Sequence, residues 1–576
     1  MSETAGQLRL TGDRMTRAAI ERAAGTASYD GLIAHFSLNV PPRYNMAADT
    51  VLRHSAGPLN DATALLCEED DGTVRDLTYA QLDDASARVA ALLHGHGIGK
   101  GDVIACYLGQ GLEAALTYLA GLRLGAIIAP LSQLYGPETV DHALNDSGAR
   151  LLVADAALWA RIAERRPNFK QLNTVIIAGA TAAAEAAEAG TVAFDQWRDL
   201  PPQSGCADTA AEDPALLLYT SGSTGLPKGI LHAHRILRGY LASVSLFYEL
   251  QMCEPRQVLW TASDWSWVAG IFNVMLTGWF FGHTVVASRA RFDEKEAFAL
   301  MQRFGVTHCF LTPTALKRMA GLRAPKADFP DLELRAIGTG GEPLPGAVLD
   351  WADRTLNVPI NEFYGLTEVN HLIGNCRALY PIKPGSMGRA YPGHTMAVID
   401  ENGEMLPDGE EGEIVARSDD PTLFLGYWNQ PQRTSAMRIG NWVRTGDFGC
   451  RDADGYFWYR GRNDDLIKSA GYRIGPAEIE DALVRHDAVA EAAVVGSPDP
   501  DRGQVVKAFI RPARGHSPND ALAKELQQHV KKTLAFYKYP REIEFVTDFK
   551  QTSTGKIDRK FLRKREAERK GGQSAR

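Results

Sequence analysis

Between 77 and 97 the apolar residues Leu82, Val89, Leu92 and Leu93 fall on one helical face, and Thr78 stands where an N-cap belongs. The apolar run at 103–108 predicts a strand, 112–124 a second helix and 126–129 another strand. Further strands are predicted at 150–153 and 174–177, and the alanine-rich stretch 180–189 reads as an exposed helix or insertion. Strand and helix alternating in this way imply parallel βαβ units. The same texture returns at 216–219, 307–311, 313–319, 334–338 and 360–363. From 388 to 459 it changes to short β-like segments broken by Asp-Gly, Asn-Gly and Pro-Gly turns, which suggests a small barrel or distorted sheet. A polar break at 461–465 follows. Pro476 then opens a helix to 485, strands are predicted at 489–495, 505–510 and 542–546, and a helix at 522–534. The expected fold is therefore α/β. A large N-terminal domain (1–463) holds two βαβ-type sheet subdomains and a small distorted β-barrel, and a smaller α+β domain (464–576) follows.

One apolar run has to be weighed against a membrane span. Residues 268–286 are 19 positions without a formal charge, close to the length of a span. Asn273, Thr277, His283 and three glycines interrupt it, so it reads as a buried helix (268–279) and a strand (283–287). No stable membrane insertion is expected.

Composition narrows the function classes. The chain has 576 residues, 45% hydrophobic and 23% charged, with a net charge of −8, and its pI is near 6.0. Nucleic-acid binding, which favours a basic face, is not expected. The basic stretch 556–576 reads as a solvated helix and frayed tail. The 7 cysteines are scattered and contain no Cys-x-x-Cys pair, which argues against a disulfide framework or structural zinc and for a reducing compartment. Residues 1–25 have no apolar core of a secretory signal, and Glu3, Asp13 and Glu21 count against a transit peptide. A cytoplasmic location is expected.

The chemistry centres on 216–229, Leu-Leu-Leu-Tyr-Thr-Ser-Gly-Ser-Thr-Gly-Leu-Pro-Lys-Gly. A short buried strand runs into a loop of hydroxyls and glycines. Glycine lets a backbone turn tightly and bring successive N–H groups onto an anion. Thr220, Ser221, Ser223 and Thr224 add donors around Gly222 and Gly225, and Lys228 adds a point charge suited to phosphate. Polyphosphate binding is implied. Lys228 follows Pro227 and precedes Gly229, so this is not the common Gly-Lys-Ser/Thr loop.

Two further runs sit at predicted strand ends, where α/β sheets bind ligands: Gly341-Glu342-Pro343, and Glu362 to Glu368 through Phe363, Tyr364, Gly365, Leu366 and Thr367. A carboxylate such as Glu368, near a triphosphate, is an oxygen ligand for Mg²⁺. Asp447, in Arg444-Thr445-Gly446-Asp447, could accept both hydroxyls of a ribose, and Arg462 could reach the same nucleotide. His232 and His234 form a His-x-His pair without an evident third ligand, so a pocket-wall or capping role is expected. Lys556, in Thr552-Ser553-Thr554-Gly555-Lys556, reads on its own as a surface lysine.

These runs, with Gly461–Arg473 and Tyr537–Arg541, occur in one order over about residues 40–565. The chain thereby resembles the adenylate-forming enzymes, and most nearly the AMP-forming medium-chain acyl-CoA synthetases. The resemblance implies that Thr220 to Lys228 hold the β- and γ-phosphates of ATP. Gly341, Glu342, Pro343 and Glu362 to Thr367 would line adenine, the α-phosphate and the substrate carboxylate, with Thr367 and Glu368 at the reacting centre and Glu368 on Mg²⁺. Asp447 and Arg462 would hold ribose, and Lys556 would stabilise charge at the α-phosphoryl group. Asp464 matches the family's hinge. The C-terminal domain would rotate there, withdrawing Lys556 and bringing in Ala470, Gly471 and Tyr472, with Gly471 leaving room for pantetheine. Arg502, Lys531, Tyr539, Pro540 and Arg541 match CoA contacts. Trp265, Trp267 and Gly365 fall where the family lines its acyl pocket.

The expected function is ATP-dependent conversion of a carboxylic acid to acyl-AMP with release of pyrophosphate, followed by thioester formation with CoA. A carboxylate is a poor acyl donor because its leaving group is oxide, and AMP supplies a good one. Gly365, where acetate-specific relatives carry tryptophan, implies a medium-chain, branched or aromatic acid. The alternatives are an adenylating enzyme that loads a carrier protein, against which the CoA-type Arg502 and Tyr539–Arg541 speak, and an inactive nucleotide-binding relative, against which Glu368, Asp447 and Lys556 speak.

Overall fold

Thr78 caps its helix as expected. Its side chain accepts from Gln81 N while the Gln81 side chain accepts from Thr78 N, and the helix Tyr79–Gly95 follows. The computed structural model describes residues 28–35, 38–179, 190–220, 227–322, 324–462, 465–469, 472–535, 537–551 and 557–573. They form two compact units: one of 1–382, 388–395 and 417–441, the other of 383–387, 396–416 and 442–576.

The first unit holds two sheets. One runs, in spatial order, Arg389–Ala390, Asn370–Gly374, Ile360–Leu366, Ala336–Gly340, His308–Phe310, Val258–Thr261, Thr284–Ser288, Thr63–Glu68 and Val74–Thr78. Its interior is parallel and its edges are antiparallel. The other runs Gly426–Tyr427, Lys228–Ala233, Pro214–Thr220, Ile127–Pro130, Val103–Tyr107, Leu151–Asp155, Thr174–Ala178 and Thr191–Ala193. It is parallel from Pro214–Thr220 onward, with antiparallel pairing at the Gly426–Tyr427 edge. The helix Leu112–Leu124 is buried on nearly every side, as a helix between packed layers must be.

The expected helix and strand at 268–287 are present, but the helix is not regular. A π-turn, Ile271–Met275, separates Val268–Gly270 from Leu276–Phe281. From the following turn the Thr277 hydroxyl donates back to Phe272 O at 2.6 Å, and Gly282 ends the helix at φ 81°. Among the described residues no helix is long and apolar enough to cross a membrane.

Three sequence readings change. The edge pair Thr63–Glu68 and Val74–Thr78 is not among the predicted strands, since the second strand buries none of its side chains fully. The apolar run after the phosphate loop, which the pattern leaves without an assigned element, is a strand. Pro214–Thr220 and Lys228–Ala233 form an antiparallel hairpin that pairs Thr220 with Lys228. The strand from Ile360 runs on to Leu366, so Tyr364 and Gly365 lie on the strand and not after it.

In the second unit the barrel-like region is a sheet containing Met396–Ile399, Gly412–Arg417, Trp442–Arg451 and Phe457–Arg462, and no pairing among the described residues closes it. A second sheet orders Tyr472–Ile474, Ile467–Ser469, Gly503–Pro512 and Val489–Asp499, with Glu542–Phe545 parallel to Gly503–Pro512. The helices Pro476–Val484 and Asp520–Thr533 share its core. The basic C-terminal helix Arg559–Gln573 has one face anchored: Glu566 is fully buried and takes bonds from Lys507 Nζ (2.7 Å) and Ser497 Oγ (3.0 Å).

Candidate active site

The hairpin delivers Lys228 to a carboxylate. Lys228 Nζ lies 2.7 Å from Glu368 Oε1 and 3.0 Å from Tyr427 Oη, and the Tyr427 hydroxyl donates to the same Glu368 oxygen at 2.7 Å. The Lys228 and Glu368 side chains are 14% and 9% exposed, so the pair is largely shielded from water. Burial pushes the Glu368 carboxyl up, but Lys228 and the Tyr427 hydroxyl outweigh it and hold it below the ordinary carboxylate range. Glu368 is therefore an ionised oxygen donor.

The hairpin's base is braced from the helix Pro137–Ser147. The Tyr219 hydroxyl donates to Asp146 Oδ2 at 2.8 Å, and Tyr135 donates to Tyr219 O at 2.8 Å. His142 Nε2 lies 2.8 Å from Pro227 O, which can only accept, so that nitrogen carries the proton. The glycine-hydroxyl tip, Ser221, Gly222, Ser223, Thr224 and Gly225, lies outside the described residues.

The strand-end runs are held by local bonds. Glu362 Oε1 accepts from Leu344 N at 3.1 Å, just past Gly341, Glu342 and Pro343, and Glu342 Oε2 accepts from the Thr314 hydroxyl at 2.9 Å. Gly341 sits at φ 91°. The Phe363 ring packs on His371, with centroids 3.6 Å apart. Tyr364 and Thr367 are half-buried.

The acyl-pocket candidates separate. A Cβ on Gly365 would lie 1.9 Å from Asn370 O. The glycine is thus required by the turn of the two strands, and the space at its Cα is taken by backbone, so the substrate-size argument from this position fails. Trp265 is 1% exposed and belongs to the core. Trp267 is only partly buried and packs edge-on to Tyr135, with centroids 6.2 Å apart. His232 and His234 are buried, and burial pushes them down to about 3 and about 4, so both are neutral near pH 7. Among the described residues no cluster of three His, Cys, Asp or Glu side chains is arranged for a metal. Mg²⁺ takes few protein ligands, all of them oxygens. Glu368 fits it by charge and donor type.

In the second unit Asp447 is buried and faces Arg462 across paired strands, with Arg462 Nε 3.4 Å from Asp447 Oδ1. Lys531, Tyr539 and Arg541 come together. Lys531 Nζ is 4.0 Å from the Tyr539 ring centroid, and Arg541 Nη1 donates to its hydroxyl at 3.1 Å. Pro540 between them is buried, and Tyr472 stacks on Tyr537 at 4.2 Å. Arg502 lies in an exposed turn, its N–H bonded to Asp499 Oδ1 at 3.0 Å. Asp464, Ala470, Gly471 and Lys556 lie outside the described residues. Tyr427, His142 and Tyr537 were not read as site residues. Only Tyr537 carried a signal, as the first residue of the Tyr537–Arg541 run.

Two family models match the chain: AMP-binding enzyme over residues 52–428 and AMP-binding enzyme C-terminal domain over 478–556. The chain is 33% identical over 553 residues to an acyl-CoA ligase of Bacillus subtilis (strain 168) named YtcI, covering 93% of this chain and 99% of that one. It is 34% identical over 543 residues to the mitochondrial acyl-coenzyme A synthetase ACSM4 of Homo sapiens, covering 92% and 91%. Among solved structures, the anthranilate CoA ligase AuaEII in complex with anthranoyl-AMP superposes with a TM-score of 0.80 at 29% identity, covering 92% of this chain and 98% of that chain.

Proposed function

The chain belongs to the AMP-binding enzyme family, and from that premise we propose that it is an AMP-forming acid–thiol ligase that converts a medium-chain, branched or aromatic acid to its CoA thioester, the size of the acid being argued from the likeness to the anthranilate CoA ligase and not from Gly365. The substrate carboxylate attacks the α-phosphorus of ATP and pyrophosphate leaves. The CoA thiolate then attacks the acyl carbonyl and AMP leaves. The observation that carries the site assignment is the buried triad of Lys228, Glu368 and Tyr427 at the base of a glycine-hydroxyl hairpin.

In this reading Lys228 and the hairpin N–H groups position the β- and γ-phosphates. Phosphoryl transfer needs positioning and charge neutralisation more than a general base. Glu368 holds Mg²⁺, which supplies charge neutralisation at the phosphates. Asp447 and Arg462 orient ribose, and Gly341 to Pro343 with Glu362 to Thr367 line the nucleotide and carboxylate. Lys556 serves adenylation. Lys531, Tyr539, Pro540, Arg541, Arg502 and Ala470 to Tyr472 serve CoA, and the domain from 464 onward turns about Asp464 between the half-reactions. Trp267 walls the acyl group. A cytoplasmic location suits a chain whose seven cysteines are scattered and contain no Cys-x-x-Cys pair.

The test is a panel of C2 to C10 and benzoic-type acids assayed for acid-dependent loss of free CoA thiol. Equal amounts of AMP and pyrophosphate are expected, with the best kcat/KM on an acid larger than propionate. ADP in place of AMP, or a preference for acetate, would refute this reading.

A further inference from the structure

His394 and Asp420 form a pair that no step above uses. His394 Nδ1 donates to Asp420 Oδ2 at 2.7 Å, and the two side chains are 0% and 2% exposed. His394 Nε2 is buried and makes no hydrogen bond among the described residues, so the ring's single bond goes to Asp420. The other carboxylate oxygen, Oδ1, accepts from Thr422 N at 2.9 Å and lies 2.6 Å from the Thr422 hydroxyl. Burial pushes the Asp420 carboxyl up, but His394 and Thr422 outweigh it and keep it below the ordinary range.

Residues 420–427 then run as a strap over the turn that carries Glu368. Thr422 O accepts from Asn370 Nδ2 at 2.6 Å, and the Thr422 hydroxyl is 3.0 Å from Val369 O. Phe424 N donates to Glu368 O at 3.0 Å, and Leu425 N donates to Leu231 O, on the strand of Lys228, at 2.7 Å. Tyr427 ends the strap with its hydroxyl on Glu368 Oε1. Asn370 is held at φ 60°, a left-handed conformation that costs energy for a residue with a side chain. The Tyr240 hydroxyl bonds its Oδ1 at 2.7 Å. The path from His394 to Glu368 thus alternates buried hydrogen bonds with short covalent steps along 420–427 and 368–370, and in a buried site a missing partner is costly.

We propose that His394 and Asp420 are positioning residues that, through the strap 420–427, hold the Glu368 carboxylate and the Tyr427 hydroxyl in place for the metal-bound triphosphate. The proposal rests on the assignment of Glu368 above. A pair serving stability alone would lower the melting temperature without discriminating between metal-free and metal-bound nucleotide. A positioning pair acts on the second far more than on the first.

The test is equilibrium binding of ATP to the full chain, without acid or CoA, in Mg²⁺ and in EDTA. The readout is the ratio of the two dissociation constants. In wild type ATP binds more tightly with Mg²⁺. His394→Leu removes the donor and is expected to cut that gain about tenfold, the size of one lost buried charge-assisted bond. His394→Asn, whose amide nitrogen falls near the place of Nδ1, is expected to keep it within about threefold. Asp420→Asn supplies the same reading if His394→Leu does not fold. A gain unchanged in His394→Leu and Asp420→Asn would overturn the proposal, as would equal losses in His394→Leu and His394→Asn. If Mg²⁺ gives wild type no gain, the assignment of Glu368 fails first and the proposal falls with it.

Discussion

Lys228 and Glu368 hold each other: Nζ to Oε1 is 2.7 Å, with the Tyr427 hydroxyl on both. One group suits a phosphate and the other a cation, and without either they neutralise each other. Nucleotide and metal would exchange these partners, and the buried charges would stay compensated throughout.

Glu368→Gln follows from that exchange. It removes the metal's carboxylate and releases Lys228 from its ion pair. Adenylation should fall by about a hundredfold, the scale of losing one preorganised electrostatic group. ATP binding in EDTA should hold or improve, because Lys228 no longer has to leave a partner. Equilibrium binding and pyrophosphate release, measured on one preparation, check both parts. Weaker binding in EDTA would contradict the exchange.

Lys556→Ala should abolish acyl-AMP formation and spare thiolysis of supplied acyl-AMP, since this lysine is assigned to one half-reaction only. Separate assays of the two half-reactions decide it, and equal losses in both would remove Lys556 from that role.

Gly471→Leu should act in the opposite sense. A side chain in the proposed pantetheine passage leaves adenylation intact and blocks the thiol. Wild-type acyl-CoA formation by the variant would place the passage elsewhere.

Gly365 and Trp267 call for different experiments. Gly365→Ala puts a Cβ 1.9 Å from Asn370 O, so it should destabilise the chain by about 2 kcal/mol or more, with no selective effect on acid size. Thermal melting and an acid panel check this. Trp267→Ala should favour bulkier acids, because small acids lose their wall while large ones fill the gap. The ratio of kcat/KM for a C2 and a C6 acid should move by more than about threefold.

Much of the scaffold was legible because it is local. The run 112–124 is a helix over the span its apolar pattern predicts, and Thr78 and Gln81 show their capping box within four positions. What escaped depends on pairing between distant segments. Lys228 looks like the end of a loop until its strand is seen against Thr220. Tyr427 meets Lys228 across 199 positions and Glu368 across 59, which no spacing rule links. Gly365 misled because a missing side chain reads equally as room for a ligand and as room for a neighbouring carbonyl, and only coordinates separate the two. The edge strand Val74–Thr78 pairs on one side and fully buries none of its side chains, and its inward positions Arg75 and Leu77 mix charge with an apolar residue, so the sequence lacks the apolar-polar alternation that marks a half-buried strand.

The central claim is that the hairpin site makes an acyl-adenylate before CoA takes part. Acid-dependent exchange of labelled pyrophosphate into ATP, with Mg²⁺ and no CoA, tests it most directly. Wild type should exchange only when a substrate acid is present, and Glu368→Gln should lose about two orders of magnitude of that rate while still converting supplied acyl-AMP to acyl-CoA. Acyl-CoA formation by wild type without any CoA-independent exchange, or with ADP as the nucleotide product, would contradict the account.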